Sequence, residues 1–307
     1  MSKHCIIVNP IAGRGAGKKA IPKIESYLSA LGIEYDLLVT KEPGHGIHLS
    51  EEAGSNGYQT VVAVGGDGTA NEVINGLMHA QNSGKLSSRL AVLPVGRGND
   101  FSYGMGVPQD LEAACKILGD GRTRMIDVGF VKGGDYPEGR YFGNGVGIGF
   151  DAVVGFEAAK LPLFITGMPA YLIAALKTIF LYFKAPELRL DIDGEVIQQA
   201  CLIVSLMNGK RMGGAFMFAP ESKPDDGLLN LCIAGQVSRI GVLGLFPKVM
   251  SGTQRDHEAI LMPVGKTISL KAITGSLPVH ADGETICVTG KNLEVTILKQ
   301  KLEMVCE

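Results

Sequence analysis

Gly65-Gly66-Asp67-Gly68-Thr69 is the stretch of this sequence with the plainest capacity for chemistry. Glycine lets a backbone come within hydrogen-bonding distance of a phosphate, because no Cβ stands in the way. A carboxylate beside a phosphate is repulsive unless a cation lies between them, so Asp67 points to a Mg2+-nucleotide rather than a bare anion. The simpler reading is a tight turn with Thr69 as the N-cap of a helix. Two further glycine loops occur, Asn9-Pro-Ile-Ala-Gly-Arg-Gly-Ala-Gly-Lys-Lys19 and Pro94-Val-Gly-Arg-Gly-Asn-Asp-Phe101. The first is not a Walker A loop: Gly13 and Gly17 are one residue too close, and no Ser or Thr follows Lys18. Nor does it match the dinucleotide fingerprint. Acidic turns complete the set, at Asp225-Asp226-Gly227, Asp193-Gly194-Glu195 and Asp282-Gly283-Glu284. Asp-Gly is a common hairpin signal, so each of these is first of all a turn between strands.

These residues need elements to hold them. Val61–Val64 reads as a strand buried on both faces, and from Ala70 the apolar residues Val73, Ile74, Leu77 and Met78 fall on one helical face. Strands at Cys5–Val8, Tyr35–Thr40 and Leu90–Leu93 alternate with helices, one carrying Ile21, Ile24, Tyr27, Leu28 and Leu31, another around Ile47–Gly54. Such alternation predicts a parallel sheet with right-handed crossovers. The three glycine loops then gather at the carboxyl edge of the strands, beside a helix N terminus that attracts anions. After Ile126-Asp127 the pattern changes to short β-like runs, at 141–146, 188–192, 200–207, 228–233, 267–271, 284–288 and 293–298. That spacing predicts a largely antiparallel sandwich. Domains are therefore expected over residues 1–125 and 126–307, with the last residues able to return to the first domain.

The balance of the chain narrows the classes. At 307 residues and 46% hydrophobic content it can bury a full core, and a net charge of -2 carries no general attraction to nucleic acid. Six scattered cysteines, without C-x-x-C and mostly among apolar neighbours, fit core thiols in a reducing cytoplasm. The apolar segment 161–183 is broken by Pro162, Gly167 and Pro169 and interrupted by Lys177. The uninterrupted helix from Pro169 is about 22 Å long, short of the ~30 Å of a bilayer core, so no transmembrane span is expected.

In order along the chain, NPIAGRG (9–15), GGDGTANEVINGL (65–77), PVGRGNDF (94–101), FGNGVGIGFDA (142–152), PDDGLLN (224–230) and DGE (282–284) resemble the diacylglycerol kinase catalytic domain family, in its bacterial soluble lipid-kinase branch. GGDGT alone is shared with NAD kinases; the first loop together with the late PDDG separates the lipid kinases. The resemblance implies an N-terminal α/β nucleotide domain and a C-terminal β-sandwich, with ATP and lipid meeting in the cleft between. It implies nucleotide contacts at Asn9, Pro10, Ala12, Gly13, Thr40, Gly65, Gly66, Asp67, Gly68, Thr69, Asn71, Gly96, Arg97 and Asn99, with Asp67 near the phosphates and Mg2+. A magnesium site is implied at the Asp226 carboxylate with the backbone carbonyls of Lys223 and Leu228, and a proton acceptor at Glu284. Arg97 departs from the family, which usually has Thr or Ser there. The implied activity is ATP- and Mg2+-dependent phosphorylation of a lipid hydroxyl, diacylglycerol first, at a membrane surface. NAD kinase and a binding protein with lost catalysis are the alternatives, and exposed sandwich edges could pair two subunits.

Overall fold

A computed structural model describes residues 3–84, 88–162, 165, 168–181 and 184–306. The chain forms two compact units, Met1–Val128 with Lys299–Glu307, and Gly129–Leu298. In the first unit β1 (His4–Val8), α1 (Ala12–Ala30), β2 (Tyr35–Val39), α2 (His45–Ser55), β3 (Thr60–Gly65), α3 (Asp67–Asn82) and β4 (Arg89–Pro94) alternate. The strands pair in parallel in the order β4-β3-β1-β2. Every residue of β3 is buried, as expected of a central parallel strand covered on both faces. Helices α4 (Asp100–Gly104) and α5 (Leu111–Asp120) follow, and β5 (Thr123–Gly133) leads into the second unit. Residues 299–307 return to the first sheet, where Met304 pairs in parallel with Leu90.

Helix α3 starts three residues earlier than the apolar periodicity predicts. Gly66 is extended and serves as N-cap, and the Ala70 amide donates to its carbonyl at 3.0 Å. Thr69 is thus inside the helix and is not its cap.

The second unit contains β6 (Tyr136–Phe142), β7 (Gly145–Gly149), α6 (Phe150–Ala159), α7 (Met168–Leu181), β8 (Glu187–Ile192), β9 (Glu195–Met207), β10 (Leu229–Gly235) and α8 (Arg239–Ser251). Then come β11 (Ile260–Leu261), β12 (Val264–Gly265), β13 (Thr267–Ala272), β14 (Leu277–Ala281), β15 (Glu284–Gly290) and β16 (Asn292–Val305), whose residues from Lys299 onward belong to the first unit. Pairing within this unit is antiparallel. The long strand β9 gives its first half to β8 and its second to β7 and β10, which joins the two layers of the sandwich. Phe142, Val146, Leu206, Leu231, Val279 and Ile286 lie in the core between them. Helices α6, α7 and α8 cover part of the other face, through Phe150, Val154, Ala175, Ile179, Leu202 and Val242.

Three features of this unit differ from the sequence expectation of strands interrupted by one helix at Pro169. The run 141–146 is divided at Gly143-Asn144 between β6 and β7. Helices α6 and α8 are additional, α6 because its apolar residues are spread around the helix and leave no single apolar stripe, and α8 because Gly241, Gly244 and Pro247 obscure its period. Strand β14 was hidden by Pro278, which sits where the ladder with β15 shifts register. Helix α7 spans 14 residues, and among the described residues no helix is long and apolar enough to cross a membrane. Gly167, expected to break this segment, lies outside the described residues.

Candidate active site

The three glycine loops of the first unit meet at the N terminus of α3. Asn9 Nδ2 donates to Thr69 Oγ1 at 3.1 Å, tying the first loop to the second. The Val95 and Gly96 amides both donate to the Gly65 carbonyl, at 2.9 and 3.2 Å, tying the third to the second. Asp67 Oδ1 accepts from the Phe101 amide at 2.8 Å, which fixes the carboxylate against the start of α4. Glycine is required by packing here, not only by flexibility. A Cβ on Gly13 would overlap the Val95 carbonyl, and one on Gly96 would overlap the Gly66 backbone. Gly13, Arg14 and Gly15 are all left-handed, so the first loop interrupts the start of α1.

Around this junction lie the other positions expected to contact a nucleotide. Thr40 is buried, and its amide donates to the Val8 carbonyl at the end of β1. Asn71 is fully buried on α3, where its carbonyl and Oδ1 accept from Asn75 Nδ2. Asn99 is left-handed (φ 52°) and reaches back to the Gly96 carbonyl. Pro10, Ala12, Gly66 and Gly68 are half-buried, whereas Arg97 is exposed. One anchor escaped the sequence reading: Glu72 on α3 accepts from the Gly44 and Gly46 amides, both at 2.8 Å, and so fixes the loop after Thr40. The helix N terminus has no side-chain cap, so its first-turn amides are directed at whatever occupies the junction.

In the second unit, Asp226 Oδ1 accepts from the Leu228 amide at 2.9 Å, across a turn made possible by left-handed Gly227 (φ 78°). Asp226 and Leu228 are half-buried and Lys223 is exposed. Among the described residues no three His, Cys, Asp or Glu side chains assemble to hold a metal ion.

The two Asp-Gly-Glu copies are both tight hairpin turns with left-handed Asp and Gly, at φ 52° and 96° for Asp193 and Gly194, and 49° and 86° for Asp282 and Gly283. They differ in what the aspartate does. Asp193 is anchored at the surface by the Lys266 and Thr267 amides. Asp282 is only 6% exposed, and three successive amides of Gly143, Asn144 and Gly145 donate to it, at 2.7, 3.0 and 2.9 Å. The cradle continues: the Asn144 carbonyl accepts from the Asn208 amide, Ser222 Oγ donates to the Asn208 carbonyl, and Asn230 Nδ2 reaches Ser222 Oγ at 3.4 Å. A chain of hydrogen bonds thus links the ends of the Asp226 turn to the turn that presents Glu284, the first residue of β15. Sequence pattern does not distinguish the copies, because the difference is one of burial.

Comparison with known proteins assigns the chain to a family. Residues 3–131 match the Diacylglycerol kinase catalytic domain family, and residues 144–305 match the YegS C-terminal NAD kinase beta sandwich-like domain. Curated relatives named diacylglycerol kinase, from Staphylococcus aureus strains RF122 / ET3-1 and JH9, are each 30% identical over 280 residues, 91% of this chain and 85% of theirs. A solved structure from Bacillus anthracis str. Sterne, described as a candidate diacylglycerol kinase, superposes with a TM-score of 0.80 at 26% identity, covering 100% of this chain and 97% of that one. Yeast NADH kinase shares the fold alone, with a TM-score of 0.52 at 11% identity, covering 99% of this chain and 83% of that one. The chain belongs to the diacylglycerol kinase family, a family of lipid kinases.

Proposed function

We propose that the protein transfers the γ-phosphoryl group of ATP, with Mg2+, to the hydroxyl of a lipid, diacylglycerol giving phosphatidic acid. The observation that carries this reading is the junction of three glycine loops on the uncapped N terminus of α3, with the Asp67 carboxylate fixed beside it. Phosphoryl transfer asks for positioning and charge neutralisation more than for covalent chemistry. Backbone amides of Gly66–Thr69 hold phosphate oxygens together with those of Arg97 and Asn99, Asn9 and Thr69 keep the loops together, and Thr40 and Asn71 support the nucleotide side from within.

The residues at the Asp226 turn suit magnesium. One carboxylate with backbone carbonyls of Lys223 and Leu228 is an all-oxygen donor set, and Mg2+ binds through one or two carboxylates while keeping several waters. A magnesium ion supplies neutralisation of phosphate charge when bound. Glu284 takes the proton of the attacking hydroxyl, and Asp282 holds the turn that presents it.

The substrate is a lipid reached at a membrane surface by transient, peripheral contact. Supporting that reading, Leu172, Ile173, Leu176 and Phe180 on α7 and Ile240 and Leu243 on α8 are exposed apolar residues, and segments 158–186 and 228–255 carry Lys and Arg but no Asp or Glu. Six free, buried cysteines support a cytoplasmic setting.

The test is phosphorylation of a panel of hydroxyl lipids in mixed micelles with labelled ATP and Mg2+, wild type beside Asp67→Ala and Glu284→Gln. Label in a lipid, reduced by about 10²–10⁴ in Glu284→Gln, is the expected result. No label in any lipid while ATP still binds, or NADP formed from NAD in plain buffer, would overturn it.

A further inference from the structure

Backbone amides at the glycine junction grip phosphates, which every nucleotide carries, and leave the base to be recognised by another group. The short helix α4, into which the third glycine loop runs, offers one. Asp100, Phe101, Ser102 and Met105 are buried there, whereas Tyr103 is 42% exposed. A single exposed aromatic needs no explanation by itself. The setting of Tyr103 sets it apart.

The Asn99 side chain reaches back to the Gly96 carbonyl, and its Oδ1 lies 2.6 Å from where a Cβ on Gly96 would be and 3.8 Å from one on Gly66. It therefore sits over the crossing of the second and third loops. The Tyr103 amide donates to the Asn99 carbonyl at 3.0 Å, which places Tyr103 one helical turn, ~5.4 Å, farther along. A ring rooted there can come within a nucleoside's length of the junction. The helix that carries it is held from several sides. Asp67 Oδ1 accepts from the Phe101 amide, the Val107 amide donates to the Ser102 carbonyl at 2.8 Å, and Arg124 Nη2 donates to the Met105 carbonyl at 2.8 Å. A platform fixed before its ligand arrives loses little freedom on binding. Ile11, the exposed apolar residue of the first loop, is aliphatic and offers a base no flat face.

We propose that Tyr103 is the platform on which the base of the bound nucleotide stacks, while its phosphates lie on the uncapped N terminus of α3. Every base has a π face, so stacking on an aromatic side chain is tolerant of which base is offered. The platform favours a nucleotide over an inorganic phosphate chain without choosing adenine over guanine. This inference rests on the reading of the junction as a nucleotide site, and not on the identity of the phosphoryl acceptor.

Binding of ATP and of inorganic tripolyphosphate, both with Mg2+, is measured by isothermal titration calorimetry on the full-length wild type, Tyr103→Ala and Tyr103→Phe. The expected result is a loss of about 5- to 150-fold in ATP affinity in Tyr103→Ala, with tripolyphosphate bound as by the wild type and ATP binding kept in Tyr103→Phe. Unchanged ATP affinity in Tyr103→Ala, or equal losses for both ligands, would overturn the platform. A wild type that binds tripolyphosphate as tightly as ATP would overturn it too. A wild type that binds neither ligand would overturn the nucleotide reading together with this one. ATP binding of the expected pattern in a protein that phosphorylates no lipid would count against the kinase reading and leave this one standing.

Discussion

Replacing Asp282 by alanine should cost far more than the same change at Asp193, although both occupy the same position of the same turn. Three buried amides donate to Asp282, and hydrogen bonds to a charged acceptor contribute about 1.5–3 kcal/mol each. Losing the carboxylate leaves those amides unpaired at about 1–3 kcal/mol each, and alanine tolerates a φ of 49° worse than aspartate does. Because such contributions are not additive, about 3–5 kcal/mol is expected, at the upper end for single substitutions. Asp193 accepts from two exposed amides that water can satisfy, so about 1 kcal/mol is expected there. Asp282→Asn keeps an oxygen for Asn144 and Gly145 but turns an amide towards Gly143, and should fall between. Urea unfolding followed by far-UV circular dichroism measures all three, and thermal midpoints should drop by about 8–15 °C for Asp282→Ala and by under 5 °C for Asp193→Ala. A loss at Asp193 equal to that at Asp282 would refute the argument that burial separates the two copies.

Burial pushes the thiols of Cys5 and Cys232 up to about 12 and those of Cys115 and Cys201 to about 11. All six cysteines should therefore resist Ellman's reagent at pH 7 in the native protein and all six should react in guanidinium; a fast-reacting native thiol would contradict the packing. Glu157 is held below its ordinary value of 4.5 by hydrogen bonds from Lys160, at the end of α6, and then from Lys177, which joins α6 to α7. A carboxyl with a depressed folded-state pKa adds stability above its unfolded value and loses it as pH falls through the folded value. The melting advantage of wild type over Glu157→Gln should thus be steady from pH 7 to 5 and shrink below about pH 4.5; no narrowing by about pH 3 would refute the ion-pair account.

Much of the first unit could be read in the sequence because its signals are local. Four consecutive β-formers before a glycine turn define β3, and parallel pairing brings every such turn to one edge, so the meeting of the three glycine loops follows from the order of elements alone. The start of α3 was displaced by three residues, since Gly66, with no side chain, caps a helix without leaving a side-chain signal. In the second unit, α8 did carry end signals, Ser238 accepting from the Gly241 amide and left-handed Gly252 after the last turn, but its glycines and proline masked the period between them.

The sequence determined the alternating α/β order, the antiparallel run that follows it, and the glycine and aspartate turns, because each depends on residues close in the chain. Tertiary structure alone decided which Asp-Gly-Glu turn is buried in a cradle of amides. It alone placed Glu72 on the Gly44 and Gly46 amides, and Asp151 against His280 across Gly147. Those contacts join residues 26 to 139 positions apart, and no local pattern encodes them: they exist only where strand register and helix packing bring the partners to one place.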